Sequence, residues 1–208
     1  MALLDPTATP DDDERIAFWL NLYNAILIEE LARRRPFGSL LRHRGLFRSA
    51  GIEVGGLQYS LDAIEHGVLR LNARPPYALR PVLRAGDPRL AAAPSRLDPR
   101  IHFALNCGAR SCPPIRAWAS ESLNADLEAA ARSYLAAEAS VDSDAGCLTL
   151  PGLMKLYRAD FGNRSRQVDL AADWLPAQER EWVRSRTKRL GVSYARFDWK
   201  LAGEPRGA

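Results

Sequence analysis

Side chains that usually carry covalent or metal chemistry are scarce in this chain, with three histidines and three cysteines in 208 residues. Cys107, Cys112 and Cys147 cannot be a complete disulfide framework, because one thiol is left over. The spacing between Cys107 and Cys112 is wider than the Cys-x2-Cys pair common in zinc sites, so no metal or other cofactor is expected. No apolar run reaches the roughly 20 residues that span a bilayer, which excludes a membrane-spanning helix. Met1 to Asp13 holds no basic segment followed by an apolar one, so no signal peptide is visible. The expected compartment is the cytoplasm, with a secreted or periplasmic location reserved for a start upstream of Met1. The formal net charge is only +4 and the arginines are scattered, which argues against a nucleic-acid partner. With no repeat and no linker, residues 11–190 are expected to form a single globular domain, and residues 191–208 a C-terminal extension that frays from Glu204.

What is present is organised around Asp98 to Pro114. An Asp-Pro turn signal leads through an apolar run into Asn106-Cys107-Gly108, and Cys112 is followed by two prolines. That pattern predicts a strand emptying into a rigid loop, where a side chain is presented on a fixed base. Earlier in the chain, the acids Asp11 to Glu14 and the stripe Ile16, Trp19, Leu20, Tyr23, Leu27 and Leu31 predict a helix closed by Arg33 to Arg35. Asn24 borders that stripe and needs partners, either neighbouring backbone or a catalytic side chain. Asn21 is rotated further off it.

Gly55-Gly56 between two short apolar runs predicts a hairpin over 52–59, and Ser60 then caps a helix from Leu61 to Leu71 that carries Glu65, His66 and Arg70. The proline-rich stretch Asn72 to Asp98 predicts a long ordered loop with one helical turn at Asp87 to Ala93. Further helices are predicted at Ser122 to Ala139, Pro151 to Phe161 and Leu170 to Leu190, with a second hairpin over Val141 to Leu150. The class is α+β, several helices packed around a small, mostly antiparallel sheet.

Cys107 is the candidate nucleophile, because Arg110 and the loop amides favour a thiolate, although free cysteines also serve as small apolar core residues. A thiolate nucleophile needs a base. His43 lies in a basic linker, and His102 falls on the opposite face of the predicted strand from Cys107. His66 is the better partner, against the alternative of a purely structural mid-helix histidine. Glu65 points about 100° away around the helix, so the orienting group would be Asn24 or Asp160. A Cys107–Cys112 disulfide, or a metal held with His102, are the remaining alternatives.

The chain resembles the domain-of-unknown-function family 547. The resemblance rests on Ala17 to Ala25 (AFWLNLYNA), Ser60 to Arg70 (SLDAIEHGVLR), Phe103 to Pro113 (FALNCGARSCP) and, more weakly, Tyr157 to Gly162 (YRADFG), covering roughly residues 14–162. It implies that Asn24, Glu65, His66, Arg70 and Cys107 occupy signature positions. It also implies that the second cysteine position accepts serine, which favours a single-thiol site over a disulfide or metal. Papain-like and transglutaminase-like cysteine enzymes are the nearest analogues, although here histidine precedes cysteine in the chain; triads are defined by geometry rather than order.

Two functions follow as expectations, with a thiol redox role through Cys107 and Cys112 as a third. The first is a cysteine-dependent hydrolase or acyltransferase acting on an amide, ester or thioester, with Cys107 as nucleophile, His66 as base, and the Cys107 or Asn24 amide steadying the oxyanion. Glu65, Arg70, Arg110 and Asn21 are the candidate substrate-binding residues, and the two arginines suit a small-molecule or peptide substrate carrying an anion. The second is a non-catalytic ligand-binding or protein-interaction domain, in which Asn24, His66 and Cys107 form a buried polar network.

Overall fold

The first helix, α1 (Asp12–Arg34), starts where the Asp11 carboxylate accepts the backbone N–H groups of Asp13 and Glu14, at 2.7 and 3.3 Å. Three acids in its first turn and two arginines in its last complement the helix dipole. It ends at Arg35, whose left-handed conformation (φ 43°) returns its N–H to the Leu31 carbonyl. The predicted stripe is the buried face, with Trp19, Leu20 and Leu27 fully enclosed. The structure is a computed structural model that describes residues 11–186 and 189–202; the frayed tail expected from Glu204 lies outside them.

These residues divide into two compact units, one formed by residues up to 124 together with the segment from 199, the other by residues 125–198. In the first unit, α1 is followed by a short helix, α2 (Gly45–Ser49), and a hairpin of β1 (Gly51–Val54) and β2 (Leu57–Ser60). Gly55 and Gly56 both have positive φ, as a tight two-residue hairpin turn demands, which sets Val54 opposite Leu57 and Ile52 opposite Tyr59. Tyr59 then packs its ring 4.6 Å from that of Trp19.

The helix expected at Leu61 to Leu71 is a π-helix over Ala63–Leu69, opened by the Ser60 hydroxyl accepting the Ala63 N–H. Its wide turns are visible in the bonds from Arg70 N–H to the Glu65 carbonyl and from Asn72 N–H to the Gly67 carbonyl, each spanning five residues. Leu71 and Asn72 close it in the left-handed region (φ 53° and 59°). The Asn72 amide then clasps Leu83 through both its N–H and its carbonyl, stapling the proline-rich loop to the helix. That loop contains the expected helical turn at Pro88–Ala92, and the carbonyls of Ala92 and Ala93 accept hydrogen bonds from Trp19 and Arg15 of α1.

In the second unit, α3 (Leu123–Glu138) leads into a three-stranded sheet of β3 (Ser140–Asp142), β4 (Cys147–Leu150) and β5 (Gly191–Tyr194). The predicted hairpin is the antiparallel β3–β4 pair, while β5 joins β4 in parallel and was not foreseen. Between them lie α4 (Gly152–Leu156), α5 (Arg158–Phe161), α6 (Arg164–Trp174) and α7 (Ala177–Ser185). The single helix expected from Leu170 to Leu190 is broken because Pro176 forces Leu175 into an extended conformation (ψ 154°). Helices around two small, mostly antiparallel sheets make this an α+β protein. Among the described residues, no helix is long and apolar enough to cross a membrane.

Candidate functional site

The loop that carries Cys107 begins differently from expectation. Asp98 and Pro99 do not start a strand: the Asp98 carboxylate accepts the Arg100 N–H at 2.9 Å, and Pro99 occupies the first helical position, where a missing N–H costs nothing. The result is one turn of 3-10 helix over Pro99–Phe103. The opposite-face argument against His102 therefore lapses, and His102 is buried.

Past this turn, two amides fix the backbone. Asn24 of α1 donates to the Ala104 carbonyl at 3.0 Å and accepts the Asn106 N–H at 3.1 Å. The Asn106 side chain accepts the Gly108 N–H at 2.5 Å and donates to the Pro113 carbonyl at 2.6 Å, closing the loop on itself. Gly108 has φ 88°, and a Cβ there would lie 2.8 Å from Leu31, so both its conformation and its neighbour require glycine. On the other side, residues 199–202 run along the loop: the Lys200 carbonyl accepts the Arg110 N–H, and the Gly108 carbonyl accepts the Ala202 N–H.

Cys107 is thus held on all sides, half-buried, with its Sγ 2.7 Å from the Sγ of Cys112. The Cys107 N–H also points at the Cys112 sulfur, at 3.1 Å. This asymmetry decides which sulfur holds the charge. The hydrogen bond to Cys112, followed by burial, pushes the Cys107 thiol well up. Burial pushes Cys112 up as well, but hydrogen bonds from the Cys107 thiol, the Cys107 N–H and the Ala109 N–H outweigh it and bring Cys112 down. Of the two, Cys112 is the more acidic thiol. The negative charge of Glu65 raises both thiols, so the π-helix reaches the sulfurs electrostatically.

The π-helix residues form their own chain of donors. Arg70 can only donate, and its guanidinium lies 2.8 Å from His66 Nδ1, so that nitrogen is the acceptor and the ring proton sits on Nε2. Nε2–H points at the Tyr77 hydroxyl at 3.2 Å, and the Tyr77 O–H donates to Asp62 at 2.5 Å. Arg70 also donates to the Arg74 carbonyl, and Tyr23 of α1 donates to Glu65 at 3.0 Å. The 3.7 Å approach of Glu65 to His66 Nδ1 is too long for a hydrogen bond, and Arg70 holds that lone pair.

Burial raises Asp62 above the usual carboxylate range, against the hydrogen bond from Tyr77 that lowers it. Because its folded-state pKa is the higher one, its contribution to stability is complete in acid and is lost as pH rises through the elevated value. Asp62→Asn, which still accepts from Tyr77, should flatten the fall in unfolding free energy as pH rises above the ordinary carboxylate range. Urea denaturation of both proteins across that rise in pH checks this; an unchanged slope would place the titration elsewhere.

The expected site residues therefore fall into three groups. Cys107 and Asn24 meet at the loop, with Asn24 acting on neighbouring backbone. His66, Glu65 and Arg70 form the buried chain, and Arg70, 1 % exposed, spends its charge inside the protein. Asn21 exchanges two hydrogen bonds with the Trp118 backbone, and Arg110 is half-buried on the cysteine loop itself. Asp160 lies on α5, in the second unit. Sequence reasoning missed Tyr77, Tyr23, Asp62 and Asn106, and undervalued Cys112. Asp62 stands four residues before His66, a spacing that could have drawn notice, whereas Tyr77 sits in a proline-rich loop without periodicity. Among the described residues, no three histidine, cysteine or carboxylate side chains converge to hold a metal.

The family model described as "Protein of unknown function, DUF547" matches residues 7–135, more than half of the chain. No curated protein and no solved structure matches the chain.

Proposed function

We propose, for a chain that belongs to the DUF547 family, that it is a cysteine-dependent hydrolase or acyltransferase acting on an amide, ester or thioester, with Cys107 as nucleophile. The observation that carries this is the half-buried Cys107 on a loop clamped by Asn24 and Asn106, with the Cys112 sulfur 2.7 Å away. A nucleophile held this way loses little freedom on attack.

The acceptor is Cys112 and not His66. Protonating His66 at Nδ1 would set an imidazolium against the Arg70 guanidinium. As Cys107 Sγ bonds to the carbonyl carbon, its proton passes to Cys112 Sγ, and the carbonyl π pair moves onto oxygen. A protonated Cys112 is a poorer acceptor, which releases the Cys107 N–H to the new oxyanion. Cys112 then returns the proton to the departing amine, alcohol or thiol, and water or a second nucleophile resolves the acyl-enzyme. His66 and Arg70 act as positioning residues in the buried chain beside Glu65, whose charge reaches the sulfurs. With Arg70 turned inward, a preference for anionic substrates rests on Arg110.

A panel of activated esters and thioesters, read by intact mass, tests the proposal. An acyl adduct on Cys107 that disappears in Cys107→Ser, with the melting temperature held, is the expected result. Turnover that survives Cys107→Ser overturns it.

A second reading is favoured by the burial of Asn24, His66 and Arg70 with their bonds satisfied inside the protein. A binding or interaction domain needs that network for stability alone. In that case Cys107→Ser lowers the melting temperature and no adduct forms on the wild type.

A further inference from the structure

We infer that Cys107 and Cys112 are a redox-active dithiol that exchanges with small aliphatic disulfides and closes to an intramolecular bond. Both residues are half-buried, and neither sulfur is in a disulfide in this structure. They stand 2.7 Å apart, far inside ordinary non-bonded sulfur contact, in a loop that needs no rearrangement of its clamps to bring them together. The geometry also assigns an order. The Cys112 sulfur accepts the Cys107 backbone N–H as well as lying against the Cys107 sulfur, so Cys112 is the sulfur better held as a thiolate and attacks first.

The exchange balances as follows. The Cys112 thiolate attacks one sulfur of the disulfide RS–SR, forming Cys112–S–S–R and expelling RS⁻, which takes the thiol proton of Cys107. The Cys107 thiolate then attacks the Cys112 sulfur, forms the Cys107–Cys112 bond and expels the second RS⁻. Two electrons pass from the dithiol to the small disulfide, which leaves as one thiol and one thiolate. Closure occupies the proposed nucleophile, so as a switch on acyl transfer the inference rests on that reading. As a dithiol it stands on the sulfur pair alone.

Cys147 supplies an internal control, since among the described residues the partner of its sulfur is the Ser193 hydroxyl, 3.7 Å away, and not a second thiol. The full chain is treated with oxidised glutathione, quenched with a maleimide under denaturing conditions and weighed intact. The expected product carries one maleimide, on Cys147, and a proteolytic fragment linking Cys107 to Cys112 that is lost on reduction. Cys107→Ser, which cannot resolve, should stop at a glutathione adduct on Cys112. Cys112→Ser should react with the disulfide at least about tenfold more slowly at Cys107 than Cys112 does in the wild type. Three maleimides after oxidation, a persistent glutathione adduct on the wild type, or a first adduct on Cys107 each overturns the inference. A closed disulfide in a protein that forms no acyl adduct when reduced would sink the proposed reaction and leave the dithiol standing.

Discussion

Asn24→Ala should lower the unfolding free energy by about 2–6 kcal/mol and loosen the cysteine loop. The side chain is 2 % exposed and answers two backbone groups, the Ala104 carbonyl and the Asn106 N–H. Truncation leaves both unpaired away from water, at about 1–3 kcal/mol each, and adds a small cavity beside Leu27 and Leu20 on the buried face. Asn24→Asp separates the two bonds: the carboxylate still accepts from Asn106 but faces the Ala104 carbonyl with like charge. It should therefore be no better than alanine near neutral pH. Denaturant titration measures the loss, and alkylation of Cys107 by iodoacetamide measures the loosening. An Asn24→Ala protein with wild-type stability and wild-type thiol reactivity would show that Asn24 does not hold the loop.

Arg70→Ala should cost about 3–5 kcal/mol. Arg70 is among the largest fully buried side chains, and its guanidinium stands at the imidazole nitrogen that Glu65 approaches to 3.7 Å. Its removal strips a donor from His66 and from the Arg74 carbonyl, and takes a cation from beside a carboxylate that is 7 % exposed. Arg70→Lys should recover only part of the loss, because a single ammonium cannot reproduce a planar fork aimed at two acceptors. Thermal and urea unfolding of the three proteins decide it. Full rescue by lysine would show that charge alone, and not the fork, is what the helix needs.

Much of this architecture follows from local signals. The capped and charge-biased α1, the Gly55-Gly56 hairpin and the amphipathic α3 form from interactions within a few residues, so their sequences state them directly. The errors have one local and one long-range cause. Asp98-Pro99 reads both as a turn into a strand and as a helix cap followed by a first-turn proline, and the carboxylate bond to Arg100 selects the second. Strand β5 has four residues and a partner more than forty positions earlier, a pairing that no window along the chain contains.

At the site, the need of Asn24 for backbone partners was legible from residue type. The occupation of both His66 nitrogens was not, because one of its partners, Tyr77, comes from a loop whose course is set by prolines and by the Asn72 clasp on Leu83. Cys112 was discounted because the family resemblance implied tolerance of serine at that position. In this chain it is the sulfur that draws the proton question to itself.

The run of residues 199–202 along Gly38, Leu40, Gly108 and Arg110 carries an implication for biosynthesis. The loop that carries Cys107 is complete only once residues 199–202, much later in the chain, have been made and have cleared the ribosome. Until then the Arg110 amide and the Gly108 carbonyl lack these partners, and Cys107 and Cys112 sit on an unfinished frame.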